Sequence, residues 1–423
     1  MASTSIPILD GKRIALGVTG SIAVYKAVDL ASKLTQAGAI VDVVMTDAAR
    51  RFVTPLTFQA VTGRGVYTSM WEAPDSQAGA PGGLPTHIAH VGLAEAADIV
   101  MIAPATADTL ARLAHGRSDD LIGVTCLAAR CPVVVAPAMD GGMYEHPATR
   151  ANLEILQARG AYLIEPETGR FASGLTGRGR LPETPALIGH LRLALGRDGV
   201  LSGRHLIVTA GATREALDPV RFITNHSSGR QGHAIAQAAL DLGASVTLVT
   251  MARDLAAPVG VERVDVDSAR DLLDAVSRRI GPSSPDGLIM SAAVSDYRPA
   301  TAADRKIKKS DDPNVGMTVE LARNPDILME IKALRESTGR PLVVVGFAAE
   351  TDDLLENAAS KLRRKGMDLI VANDVSASDA GFRADTNRVI MLDREGGQTE
   401  IDLTSKSRIA EIVIGRVVEL LDL

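Results

Sequence analysis

The sequence predicts an α/β protein made of two doubly wound, Rossmann-like domains, and three observations carry that expectation. The chain has 423 residues, and at roughly 150 residues per domain that allows two or three domains. Short apolar runs alternate with longer stretches of helical period along the whole chain, the rhythm of βαβ units on a largely parallel sheet. The two halves also open alike. KRIALGVTGSIAVYKA runs through a helix and AGAI into VDVVMT, and RHLIVTAGATRE runs through a helix and LGAS into VTLVT. Each reads as strand, glycine-containing turn, helix and strand, the mononucleotide-binding half-fold.

In the first half the apolar runs predict strands at 13–18, 40–45, 99–103, 133–136 and 162–164, with helices at 22–36, 106–113 and 147–159. The segment 72–85 (EAPDSQAGAPGGLP) buries almost nothing and is expected to be an exposed, mobile loop. In the second half, strands are expected at 204–209, 245–250, 287–291, 342–346 and 369–372, and helices at 232–242, 269–279, 325–335 and 353–365. The stretch LGRDGVLSG at 195–203 marks the boundary, dividing the chain into domains 1–197 and 198–423.

Composition narrows the class. Forty-five basic against 51 acidic residues give a net charge of −6, which argues against a general nucleic-acid or anionic-membrane binder. Hydrophobic residues at 46% and charged residues at 23% exclude a disordered or fibrous chain. Cys126 and Cys131 are too few for a disulfide framework and border apolar segments, so they read as buried core thiols in a reducing, cytoplasmic setting. The most apolar stretches fall short of the roughly 20 residues that span a bilayer. The N-terminus reads as a short tail entering a strand rather than a secretion signal.

Chemistry-bearing residues gather where strands end. Gly17–Ala23 (GVTGSIA) closes a strand and opens a helix, so its free N–H groups suit an anion, with Ser21 as a further donor. The spacing is not that of a dinucleotide fingerprint, and a plain tight turn is equally compatible with it. Ala103–Thr109 (APATADT) repeats the arrangement, with Thr106 either a ligand contact or an N-cap. His87 can serve as a general base near neutral pH, whereas His90 reads as an exposed loop residue. The two lack a third ligand at metal spacing. Asp140 ends a strand, where open α/β sheets place ligands. The glycine-rich segment 172–180 reads as irregular, either a flap or a simple crossing. In the second half, the block from Asp218 through Arg221, Asn225, Ser227, Ser228 and Gly229 precedes a helix and concentrates donors for an anion. Lys306 and Lys308 share one face if extended, which suits phosphate charge. Lys361 and Lys365 lie one helical turn apart.

Taken in order, these motifs resemble a known family. TGSIAVYK, the His87–Ile88 pair, PATADTLARLAHGRSDDL, PAMD and the glycine-rich flap are similar to the phosphopantothenoylcysteine decarboxylase flavoproteins. TAGATREALDPVRFITNHSSGRQG, SAAVSDYRP, KIKK, NPDIL, GFAAET and ANDV resemble phosphopantothenate–cysteine ligase. The order is that of the bacterial bifunctional enzymes of coenzyme A biosynthesis, and the likeness covers nearly the whole chain.

The resemblance implies a flavodoxin-like FMN domain and a C-terminal nucleotide-binding ligase domain. It implies that FMN sits on Gly20, Ser21, Ile22, Ala23 and Thr46 and along the edge formed by Ala103, Pro104, Ala105 and Thr106, with His87, Asp140 and Ser173 as catalytic residues. In the ligase half it implies that CTP and Mg²⁺ activate 4′-phosphopantothenate as an acyl-cytidylate that cysteine then attacks. Asn225 and Arg221 would hold the intermediate, Ala292 and Ala293 would line the pantothenate site, and Lys306 would stabilise charge. Asp296, Pro325, Asp326, Ile327, Leu328, Phe347, Lys361 and Lys365 match nucleotide contacts. Metal ligands are not identified. The family assembles as a dodecamer. Two positions depart from the usual pattern: Asp140 stands where Asn is usual and Ser173 where a cysteine proton donor is usual. An ionised Asp140 there is expected to need a partner, for example Arg178 or Arg180. The departures raise an alternative, a working ligase behind a flavin-binding assembly module.

Overall fold

The computed structural model describes residues 6–71, 84–308, 316–350, 354–374 and 386–423. Most of the predicted loop at 72–85 lies outside the described residues. So do Lys309 of KIKK, Thr351 of GFAAET, Asp353 at the expected helix start and Val375 of ANDV. The chain forms two compact units, Met1–Gly196 and Arg197–Leu423.

The first unit starts with β1 (Arg13–Val18), α1 (Val24–Gln36), β2 (Ile40–Met45), α2 (Asp47–Arg50) and α3 (Pro55–Thr62). It continues through α4 (Ala89–Ala96), β3 (Ile99–Ala105), α5 (Ala107–Ala114), α6 (Leu121–Ala128) and β4 (Val133–Pro137). Then come α7 (Gly141–Tyr144), α8 (Pro147–Ala158), β5 (Tyr162–Leu163), β6 (Glu167–Arg170), β7 (Thr176–Arg180) and α9 (Thr184–Gly196). The sheet order is β2-β1-β3-β4-β5, all parallel. Every residue of β1 is buried, as a strand covered on both faces requires. Ile14, Leu16 and Val18 face one core with Leu30 and Leu34 of α1, while Ala15 faces another with Leu93, Leu110 and Leu156. The order reverses between β1 and β3, so the loops leaving them part and open a crevice.

The second unit comprises β8 (His205–Ala210), β9 (Arg214–Ala216), β10 (Phe222–Thr224), α10 (Arg230–Asp241), β11 (Ser245–Thr250), β12 (Glu262–Asp265) and α11 (Ala269–Ser277). β13 (Gly287–Met290), β14 (Tyr297–Pro299), β15 (Leu321–Arg323), α12 (Ile327–Thr338), β16 (Val343–Glu350) and α13 (Leu354–Lys365) follow. β17 (Leu369–Asp374), β18 (Thr386–Asp393), β19 (Gln398–Ser405) and α14 (Lys406–Leu420) end the chain. The main sheet runs β12-β11-β8-β13-β16-β17-β18-β19, parallel until β17 and antiparallel beyond it. Here the reversal falls between β8 and β13.

Several expectations are corrected. The helix expected from 22 begins at Val24, because Gly20–Ala23 turns before it; the helix expected from 325 begins at Ile327, because Asn324 N first donates across to Asp296 O at 2.8 Å. His90 is not an exposed loop residue. It lies half-buried in α4, with a buried Nδ1 that has no partner. The segment 172–180 is not irregular throughout: after the turn at 171–175 its Thr176–Arg180 part is β7, paired antiparallel with β6 in a hairpin. Cys126 and Cys131 are half-buried rather than fully buried, and burial pushes the Cys126 thiol up to about 12.

Burial lowers the affinity of His190, His205 and His233 for protons. All three stay neutral in the folded chain at pH values where the unfolded chain begins to charge them. Well above pH 6.5 the two states bind equal numbers of these protons; as pH falls through that value the unfolded state binds more and gains stability. Urea titrations at pH 7.5 and 5.5 should therefore give a lower unfolding midpoint at the acidic pH. The loss should shrink in His205→Gln when that variant is compared with its own value at pH 7.5.

Candidate active sites

The first crevice is built at the ends of β1 and β3. Thr19, just past β1, is buried; its hydroxyl donates to Pro104 O at 2.6 Å and accepts from Thr106 N at 3.1 Å. That pair of bonds holds the two strand-end loops side by side. A Cβ on Gly20 would stand 2.4 Å from Ala48 Cβ, so only glycine lets the turn pass under α2. The start of α1 faces the opening, and its N–H groups and dipole favour an anion there. Two lobes share Gly20, Thr106, Ala107 and Met143: one of 560 Å³ bordered by Ser21, Ile22, Ala23, Lys26 and Asp140, the other of 630 Å³ bordered by Thr46, Asp47, Trp71 and Arg112. Thr46 and Thr106 also cap α2 and α5. Ala103, Pro104 and Ala105 line neither lobe; they are buried at the end of β3, directly before Thr106.

The hairpin β6–β7 closes one side of the first lobe. Met139 N donates to Gly179 O at 3.0 Å, and a Cβ on Gly179 would stand 2.3 Å from Met139 O, so the hairpin docks backbone to backbone against the exit of β4. At its turn Ser173 Oγ donates to Asp140 Oδ2 at 3.0 Å, while Asp140 Oδ1 accepts from Gly142 N at 3.1 Å. The expected pairing of Asp140 with Arg178 or Arg180 is not formed. Arg178 pairs with Glu165, beneath which the Tyr144 hydroxyl also donates, and Arg180 pairs with Glu183. Burial and that bond to Glu165 push Tyr144 up to about 12. His87 is exposed ahead of α4 and is not among the residues lining either lobe.

The second crevice lies at the ends of β8 and β13. Ala293 N donates to Gly211 O at 2.8 Å and Thr213 N to Ala293 O at 3.1 Å, lacing the two loops together. Asn225 Nδ2 donates to Val294 O at 3.2 Å. Gly229 sits at φ +76°, and a Cβ on Gly232 would meet Ala210 Cβ at 2.6 Å, so glycines let α10 start directly over β8. The resulting cavity of 470 Å³ brings together Asn225, Ala292, Ala293, Asp296, Phe347 and Lys361.

The other expected residues stand around it. Lys365 pairs with Asp326, the N-cap of α12, at 3.1 Å, and Pro325–Leu328 form that helix start rather than the cavity wall. Arg221 and Lys306 are outside the lining. Asp218, fully enclosed, accepts from Arg221 and from Ile307 N at 3.1 Å, and Arg221 donates to Ile307 O at 2.9 Å. Those bonds hold the Asp218 carboxyl far below its usual range and tether the loop that carries Lys306.

Sequence reasoning missed Lys26, Phe171 and Met143 in the first unit and Asn373, Asn387 and Lys406 in the second. Lys26 sat inside a quoted motif, where its buried bonds to Leu181 O (2.6 Å) and Glu183 (2.9 Å) could not be read. Asn387 and Lys406 belong to a C-terminal hairpin and helix that carried no motif. Among the described residues no three His, Cys, Asp or Glu side chains cluster to hold a metal, and no helix is long and apolar enough to cross a membrane.

Residues 5–192 match the family model described as Flavoprotein, and residues 201–421 match the DNA/pantothenate metabolism flavoprotein C-terminal domain. The chain is 46% identical over 406 residues to the coenzyme A biosynthesis bifunctional protein CoaBC of Vibrio cholerae, covering 96% of this chain and 98% of that one. It is 44% identical over 402 residues to the protein of that name from Bacillus subtilis, covering 94% and 95%. Among solved structures, the C-terminal domain of a CoaBC protein is 36% identical with a TM-score of 0.44, covering 53% of this chain and 98% of that one. With a flavoprotein unit followed by a pantothenate-metabolism unit, and full-length likeness to such relatives, the chain belongs to the bifunctional coenzyme A biosynthesis proteins.

Proposed function

We propose that the second unit joins cysteine to 4′-phosphopantothenate at the expense of CTP, and that the first unit decarboxylates the product to 4′-phosphopantetheine with FMN. The observation that carries this reading is the pair of separate crevices, each at the reversal point among the parallel strands of its own sheet and each lined by part of the set the family motifs singled out: Gly20–Ala23, Thr46, Thr106, Asp140 and Ser173 in the first, Asn225, Ala292, Ala293, Asp296, Phe347 and Lys361 in the second.

The first crevice suits FMN: hydroxyls of Ser21 and Thr106 and the start of α1 stand ready for a phosphate, and the Gly20 backbone admits close approach. FMN supplies the electron sink that a cysteine carboxylate lacks. Ile22 and Met143 give apolar surface beside it, and the β6–β7 hairpin limits access of water to the lobe. His87 is the base for the substrate in this reading. In the second crevice the Asn225 amide, anchored on Val294 O, orients the activated acyl group. Lys361 and the tethered Lys306 neutralise phosphate charge, and the linked 291–294 loop bounds the pantothenate. Asp296 is the carboxylate in the lining, so Mg²⁺ would be held mainly by the triphosphate with Asp296 beside it, as small hard cations prefer. The same proposal places the protein in the cytoplasm as a homo-oligomer, a dodecamer by family likeness. The alternative, an inert flavin-binding module on a working ligase, predicts CMP release without CO₂.

Two substitutions test the division of labour. Purified protein supplied with phosphopantothenate, cysteine, CTP and Mg²⁺ should release both CMP and CO₂. In His87→Asn, CO₂ should fall about a hundredfold or more with CMP unchanged; equal loss of both would refute separate sites. In Asn225→Asp, which deletes a donor and adds a charge, CMP release should fall about a hundredfold while decarboxylation of ready-made phosphopantothenoylcysteine persists. Unaltered CMP output would remove Asn225 from the ligase site.

A further inference from the structure

Ser173 and Asp140 come from different elements, one from the tip of a hairpin and the other from the end of a strand, yet they meet in the first lobe at 3.0 Å. The meeting is built in. The hairpin base is pinned by the Met139–Gly179 bond. The hairpin packs closely on the start of α7: a Cβ on Gly141 would lie 3.3 Å from Arg178 O, and one on Gly177 would lie 3.1 Å from the Phe171 ring. The tip is a tight turn closed by Phe171 N to Leu175 O at 2.8 Å and Gly174 N to Phe171 O at 3.0 Å. Among the described residues Asp140 forms no ion pair: Arg178 and Arg180 pair with Glu165 and Glu183, and Arg170, which also borders the lobe, makes no ion pair with Asp140. The cavity's buried ammonium, Lys26, is likewise committed to Leu181 O and Glu183.

The chemistry of the lobe demands a proton at one atom. Exchanging a carboxylate for hydrogen is redox-neutral overall: two electrons leave the substrate and return. After CO₂ departs, the bonding pair it leaves lies in a carbon–carbon double bond next to a thiolate. A proton must then reach the carbon that carried the carboxylate, converting the enethiolate to a thioaldehyde. The two electrons that FMN would hold in the meantime would then return, with a proton, to the carbon bearing sulfur and give the saturated thiol. A lone serine hydroxyl is too weak an acid for that protonation, but a hydroxyl backed by a carboxylic acid ends the step neutral.

Resting on the decarboxylase reading above, we propose that Asp140 and Ser173 form one proton-delivery unit. Protonated Asp140 gives its proton to the Ser173 oxygen as the Ser173 hydroxyl proton forms the new C–H bond. Asp140 is left as a carboxylate that accepts from Ser173, which is the arrangement in the structure, and a proton from water reloads it. Ser173 touches the substrate; Asp140 acts through it.

The test uses the full-length protein loaded with FMN and given phosphopantothenoylcysteine, comparing wild type with S173A, D140N and the two combined. FMN binding is measured separately by fluorescence titration and should be unchanged in each. Wild type should yield CO₂ and saturated thiol in equal amounts with the flavin oxidised. Each variant should release CO₂ about once per flavin and stall, with the visible flavin absorbance bleached, the unsaturated thiol accumulating, and saturated thiol formed about a hundredfold more slowly. The combined variant should be no worse than either alone, as members of one unit behave. A thiol carries its own acidic proton, so S173C should restore turnover even in the D140N background. If S173A lost FMN, D140N with and without S173C would decide alone. Saturated thiol keeping pace with CO₂ in D140N would overturn the proton-delivery unit while leaving the decarboxylase reading intact. A wild type that bound FMN and released no CO₂ would overturn both.

Discussion

The architecture depends on one constraint: a parallel strand must hand its chain to a helix on one face or the other, and where neighbouring strands choose opposite faces their loops separate. In this chain that happens between β1 and β3 and again between β8 and β13. At each place a helix begins over the gap, and glycines remove the side chains that would fill it. Gly20 clears α2 and Gly232 clears β8, both at distances no Cβ tolerates. The polar cross-links then set the width of the gap, through Thr19 in the first unit and the Gly211–Ala293 ladder in the second.

Much of this was legible in the sequence. Strands such as β2 (IVDVVM) and β11 (SVTLVT) were bounded to the residue, because each is a short run rich in β-branched residues that follows directly on a Gly-Ala turn. The cavity-lining positions Gly20, Thr106, Asp140 and Ala292 were legible for a related reason, since each stands just beyond such a run. What stayed hidden depends on partners distant in sequence. The hairpin at 167–180 looked irregular because its glycines serve close backbone contact with Met139 and Gly141, which no local pattern records. The choice of Glu165 and Glu183 by Arg178 and Arg180, and the resulting freedom of Asp140 to meet Ser173, is likewise a tertiary outcome. The C-terminal strands β18 and β19 alternate buried and exposed residues only partly, and the cavity-lining Asn387 and Lys406 went unseen with them.

The two departures from the family pattern take on a different meaning once they are seen to touch. Considered separately, an aspartate in a site for an anionic substrate and a serine in place of a stronger acid each look like decay. Placed 3.0 Å apart they are a carboxyl–hydroxyl pair, with the carboxylate supported by Gly142 N. Lys26 contributes to this arrangement from below. By binding Leu181 O and Glu183 it fixes the strand leaving the hairpin and keeps a positive charge at the floor of the lobe. Stability and chemistry are thus joined in the same few bonds.

The central claim is that one polypeptide carries two ligand crevices that work without sharing residues. Equilibrium titration of the purified chain with FMN, with CTP–Mg²⁺, and with each in the presence of saturating amounts of the other tests it most directly. The account predicts that both bind and that neither changes the other's dissociation constant. Competition between FMN and CTP, or failure of either to bind, would contradict it.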